Sequence, residues 1–209
     1  MKKLLLTVII GLCVLGISAP AMAVVIPPGA LSTGAAAPIA PGQLPIMELL
    51  NISFTGLNAK GETAFSGLLT QKVYSNSTGL LFTYQFSNDA APAGSVRDNI
   101  TTLTTTDFSG FTTDVDAETS TNWNIRRTSA STVGFDFIAG GANGITPGTS
   151  SHLLWIQTNA PSYTWGSTNL IDGGVATVKT YSPATPEPSS LMLLGMGILG
   201  LFGLGKKKI

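Results

Sequence analysis

"LLFTYQFSND", residues 80–89, alternates with a period of two: Leu80, Phe82, Tyr84 and Phe86 fall on one face of an extended chain, and Thr83, Gln85 and Ser87 on the other. A helix would scatter those four large apolar groups around its circumference, whereas a strand gathers them into one core-facing row. The stretch "SNSTG" at Ser75–Gly79 is rich in turn formers and joins this strand to another expected over Thr63–Tyr74. Upstream, Ile46, Glu48, Leu50, Ile52 and Phe54 alternate with Leu49, Asn51 and Ser53, which predicts a strand with the even positions on one face. Downstream, strands are expected at 111–117, 123–128, 133–138, 151–158 and 175–181, and the β-branched threonines of Thr101–Asp107 suit one more. No long segment has helical periodicity, and no repeat of fixed period is present. Short strands separated by Gly, Asn and Ser turns predict an all-β domain, an antiparallel β-sandwich over residues 46–183.

The two ends differ from this core. Met1, Lys2 and Lys3 give a positive start, Leu4–Ile17 an apolar run, and Ala21-Met22-Ala23 a small-x-small site. Residues 1–23 are therefore expected to be a signal peptide, cut by signal peptidase so that Val24 becomes the mature N-terminus. The apolar run is shorter than a membrane span needs. Cys13, the single cysteine, lies in that run, so the mature chain is expected to have neither disulfide nor thiolate chemistry. Residues 24–45 hold Pro27, Pro28, Pro38, Pro41 and Pro45 among Ala and Gly without a charge, and predict a flexible or polyproline-like lead-in. Residues 24–185 carry six basic against ten acidic side chains, a net of −4. That balance excludes nucleic acid as a partner.

The C-terminal segment, 184–209, has three parts: Pro186-Glu187-Pro188, an uncharged stretch over about 189–205, and Lys206, Lys207 and Lys208. As a helix the middle part is about 25 Å long, enough for a single transmembrane helix in a thin bilayer. The lysines after it should stay on the cytoplasmic side. Two motif matches here are coincidences of composition. Gly195–Gly200 spells G-x-G-x-x-G, but too few residues follow for a dinucleotide fold. Gly200–Lys206 spells the start of a phosphate-binding loop, but Lys207 stands where Ser or Thr must hold magnesium. The prolines around Glu187 bar the helix from running backward into the core and leave an extended segment outside the membrane. This order of Pro-Glu-Pro, apolar helix and basic cluster, on a chain with a signal peptide, resembles the PEP-CTERM sorting signal of Gram-negative bacteria. The resemblance covers about 25 residues, and its lysines stand where arginine is usual. It implies recognition by an exosortase in the inner membrane, cleavage near Pro186–Pro188, and release to the cell surface or extracellular polymeric material.

Candidate chemistry in the core is sparse. Asp114, Asp116 and Glu118 fall on one face of a strand, where they would repel unless a cation or a basic partner such as Arg126 or Arg127 lay nearby. Calcium is the sharp reading and a charged, solvated edge strand the other; the full loop signature of a calcium motif is absent. His152 is the only histidine, with Ser150 and Ser151 before it but no G-x-S-x-G. One histidine without a mature cysteine excludes histidine-based zinc chemistry. Asp114 or Glu118 could serve paired-carboxylate glycoside hydrolysis only if a second carboxylate faced it across a cleft. Trp155 shares a strand face with Leu153 and is expected in the core. Trp165, beside Gly166, is expected on an exposed loop, where with Tyr163 it could stack on a sugar ring. The expected protein is a secreted, non-enzymatic surface or matrix protein without a cofactor, in contact with exopolysaccharide or a cell-surface glycan. A carbohydrate-binding module with the same sorting is the alternative, and an extracellular hydrolase a third.

Overall fold

The structure, a computed structural model, describes residues 37–118, 123–138 and 143–185. The expected signal peptide at 1–23 and membrane helix at about 189–205 lie outside the described residues. Among the described residues there are ten strands: β1 (Met47–Leu57), β2 (Thr63–Asn76), β3 (Gly79–Phe86), β4 (Thr102–Thr105), β5 (Thr113–Ala117), β6 (Asn124–Arg127), β7 (Val133–Asp136), β8 (Leu154–Thr158), β9 (Tyr163–Asp172) and β10 (Gly174–Pro183). Every pairing between them is antiparallel. Together they make one sheet in the order β5-β8-β3-β2-β1-β10-β9-β4-β7-β6.

The sandwich expected from strand spacing is thus a single sheet rolled on itself. β3 faces β4 and the chain beyond β7 across the interior: Phe82 meets Phe108 edge-on at 5.9 Å and Phe86 meets Phe137 at 5.6 Å. The edge strands β5 and β6 come close to each other, so the roll approaches a barrel. The fold in the sheet lies between β1 and β10, which are in register at Leu57 and Val175. Away from that pair, the fully buried Gln71 of β2 reaches β10 directly. Its Nε2 donates to Tyr181 O at 2.7 Å and its Oε1 accepts from Tyr181 N at 2.7 Å. One side-chain amide therefore continues the hydrogen-bond ladder where the backbone of β1 has turned away.

β3 explains why the quoted stretch governs the fold. Leu80, Phe82, Tyr84 and Phe86 all enter the main core, as their alternation demands. The opposite face is more covered than expected, because Leu81 is fully buried with Tyr74 and Trp155 in a second cluster under Ala37 and Ile39. Those two residues belong to the segment expected to be flexible. Residues 37–45 are instead tied down as a strap: Gln43 Nε2 donates to Ser75 O at 2.7 Å, and Ile46 N, just beyond it, donates to Val73 O at 2.8 Å. Trp155 is buried, as expected, but on the outer face under this strap rather than between the layers, since Leu154 and Ile156 take the inner side of β8.

The phase of β1 also differs from the expectation. Two residues, Leu50 and Asn51, oppose Thr70 where the register jumps from Leu49↔Gln71 to Ile52↔Leu69. This bulge inverts the alternation. Met47 and Leu49 pack inward before it, Ile52 and Phe54 after it, while Leu50 is left 52% exposed.

Several polar groups inside the roll are paired, although among the described residues Asn88 Oδ1, Thr113 Oγ1 and Asn124 Oδ1 are buried without a hydrogen-bond partner. Thr168 and Thr180 share a hydrogen bond at 2.9 Å, and the Tyr84 hydroxyl meets Thr105 Oγ1 at 3.3 Å. Burial pushes the Tyr84 phenol up to about 12, against the weaker opposing pull of Thr105 and Gln71. An unfolded tyrosine titrates near 10, so above that pH the unfolded chain loses this proton first. The group's stabilising contribution is complete below pH ~10 and disappears as pH rises through ~12, by about 2–3 kcal/mol in all. Urea midpoints measured across that window should fall steeply for the wild type and more gently for Tyr84→Phe; parallel curves would contradict a buried phenol.

Candidate functional site

The three carboxylates of the acidic trio differ in burial. Asp114 points to solvent, Asp116 is 5% exposed with Oδ1 accepting from Ala117 N at 2.7 Å, and Glu118 lies just past the end of β5. Among the described residues no three His, Cys, Asp or Glu side chains converge as ligands. Nor does Arg127 serve as the trio's basic partner. Its guanidinium donates to the carbonyls of Phe108 at 2.6 Å, Phe111 at 3.0 Å and Ser129 at 3.3 Å, and to that of Ala130. It clasps the loops on either side of β5 and β6. Of the serines near His152, Ser151 is buried and its Oγ accepts from Phe86 N at 3.0 Å, so it closes the end of β3. The exposed His152 ring packs on Trp123 with centroids 5.5 Å apart.

Trp165 is exposed, as expected, but it belongs to strand β9 and not to a loop. It lies opposite Tyr181 in register, and the two rings stack at 4.4 Å with planes 23° apart. Lys179 Nζ sits 4.3 Å from the indole centroid, and Tyr163 meets Tyr181 edge-on at 5.3 Å. The indole's π surface is therefore already engaged by an aromatic ring and a cation from β10. A sugar stacking there has to displace one of them.

A shallow groove lined by polar groups lies elsewhere, on the outer face of β1, β2 and β3. It has a volume of about 220 Å³ and is lined by Asn51, Leu68, Thr70, Gln85, Phe86, Ser87 and Ser150. The β1 bulge creates it. Asn51 sits at its apex with φ of 53°, a left-handed conformation that asparagine tolerates better than most residues, and its backbone N–H donates to Thr70 Oγ1 at 3.3 Å. Among the described residues the Asn51 side-chain amide makes no hydrogen bond, and it is exposed. Ser87 Oγ accepts from Leu68 N at 3.3 Å, Gln85 Nε2 donates weakly to Ser151 O at 3.4 Å, and Leu68, 42% exposed, forms an apolar wall. Neither the bulge nor this juxtaposition was foreseen from the sequence. The available signal was the loss of phase between Met47/Leu49 and Ile52/Phe54.

β10 ends at Pro183, and from the next residue the chain changes character. Residues 184–208 match the family described as the PEP-CTERM protein-sorting motif. The chain carries that sorting motif. Pro186, Glu187, Pro188 and Lys206, Lys207, Lys208 all fall within the matched span and outside the described residues; Ala21, Ala23 and Val24, at the other end, lie outside both. The PEP-CTERM motif implies export, processing at a membrane and recognition by an exosortase. No curated protein and no solved structure matches the chain.

Proposed function

We propose that this PEP-CTERM protein is a non-enzymatic component of the cell surface or extracellular matrix. Signal peptidase removes residues 1–23 after Ala23, the segment at about 189–205 holds the exported domain at the inner membrane, and an exosortase cuts near Pro186–Pro188. The observation that carries the proposal is the junction itself: the sorting motif begins at residue 184, directly after the last strand, so the β-roll is a finished cargo with its address appended. Support for a non-catalytic cargo comes from the groups most suited to chemistry. Ser151 caps a strand, Arg127 clasps carbonyls, and Asp116 is buried with its carboxylate on the backbone N–H of Ala117. Mass spectrometry of both termini, on protein recovered from membrane and extracellular fractions of the native host, tests it. An extracellular form running from Val24 to between Thr185 and Pro188 is expected. Persistence of Lys208 and Ile209 in all material, all of it in the membrane, would make the tail a permanent anchor and end the matrix proposal.

A further inference from the structure

We infer that the groove at the β1 bulge binds a short stretch of neutral polysaccharide. Its lining offers the chemistry that a run of sugar hydroxyls needs: two amides, Asn51 and Gln85, which both donate and accept, and three hydroxyls, on Thr70, Ser87 and Ser150. Leu68 adds an apolar wall for the C–H face of a sugar ring. No ionisable side chain lines it. The charges nearest on this face are engaged with partners: Lys72 pairs with Glu48 at 3.2 Å across β1 and β2, and Ser66 Oγ donates to Asp89 Oδ2 at 2.8 Å while accepting from Arg97 Nη1 at 2.9 Å. An anionic polymer therefore finds no free cation within the groove, whereas an uncharged one finds unspent hydrogen-bonding capacity. Size and shape agree with this. The volume lies below that of enclosing small-molecule pockets, and the groove is open along the sheet, which suits a chain passing over the surface better than a free metabolite.

The backbone at Asn51 is the second argument. A left-handed non-glycine residue at a bulge is a local strain, and bulges serve to re-aim side chains. Here the strain places an amide without an internal partner at the mouth of the groove. Glycine adopts the same φ without penalty, so Asn51→Gly removes the amide and keeps the bulge. That gives a variant in which binding and folding separate.

The test is affinity electrophoresis of the full chain, purified in mild detergent, through native gels containing dextran, a mixed-linkage β-glucan or galactomannan, with alginate as the anionic polymer. Retardation is expected in at least one neutral gel and not in alginate. Asn51→Gly/Gln85→Ala should weaken it about tenfold or more, as the loss of two or more hydrogen bonds to a ligand predicts, with an unchanged thermal melt by circular dichroism. Trp165→Ala should leave it in place. Retardation in none of the neutral gels overturns the inference, as does equal retardation in alginate, or loss that follows Trp165→Ala while the groove variant still binds. The assay involves no exosortase, so its failure leaves the sorting proposal to stand or fall on the terminal mapping alone.

Discussion

Gln71→Ala is expected to lower the unfolding free energy by about 4 kcal/mol, which for a domain of ordinary stability approaches loss of the fold. The substitution strips two hydrogen bonds at once from one buried peptide unit. Tyr181 N loses the acceptor Gln71 Oε1 and Tyr181 O loses the donor Gln71 Nε2, each now at 2.7 Å. Gln71 is fully buried and Tyr181 nearly so, so neither orphaned group regains water. Leaving a buried donor or acceptor unsatisfied costs roughly 1–3 kcal/mol apiece, and the vacated space adds a smaller term. The position within the sheet magnifies the effect, because this amide holds β2 against β10 away from the paired stretch of β1 and β10 at Leu57 and Val175. Gln71→Glu discriminates the mechanism: a carboxylate can still accept from Tyr181 N but cannot donate to Tyr181 O, so it should fail to rescue at neutral pH. Urea unfolding followed by tryptophan fluorescence supplies the values, with exposed Gln85→Ala as the control near zero. A Gln71→Ala cost below about 1 kcal/mol would mean that the β1–β10 ladder alone holds the fold in the sheet.

The contrast between Gln71 and Phe82 shows why part of this architecture can be read from the chain and part cannot. Phe82 and its neighbours on β3 announce themselves by local alternation, since burying aromatic area dominates the free energy of a strand and leaves a period in the sequence. Gln71 carries no such mark. Its role depends on a peptide unit 110 residues away. β9 escaped notice for a related reason. Its inward positions include Thr168, whose hydroxyl is satisfied by Thr180 on the neighbouring strand, and its outward positions include Trp165, so hydrophobicity does not follow the faces. The strap repeats the lesson from the opposite side: Ala37 and Ile39 sit in proline-rich sequence and are held only because Tyr74, Leu81 and Trp155 assemble an apolar outer surface for them. The sorting motif was legible because its function lies in local order along the chain. The groove was not, because it joins residues from three strands and a later loop around a bulge that breaks the alternation.

Gly67→Ala should be as damaging as Gln71→Ala, for a reason confined to space. A Cβ built on Gly67 would stand 1.8 Å from Ser87 O and 2.7 Å from Phe54 Cζ. Phe54 could swing aside, but the carbonyl cannot. The chain leaving β3 is fixed there by Ser87 N donating to Leu68 O at 2.9 Å and Asp89 N donating to Ser66 O at 2.8 Å. Adding one methyl group therefore forces β2 and the residues after β3 apart, breaking those bonds or straining the backbone, at about 3–5 kcal/mol. Gly61→Ala isolates the conformational component. Gly61 has φ of 79° with nothing within 4 Å of its hypothetical Cβ, so alanine there meets only the left-handed penalty of about 1–2 kcal/mol. The expected order in denaturant midpoints is wild type, then Gly61→Ala, then Gly67→Ala well below both. Equal costs at the two sites would show that β2 and the chain after β3 can separate freely. The groove between Leu68 and Ser87 would then lack the rigid floor on which its recognition of an extended glycan depends.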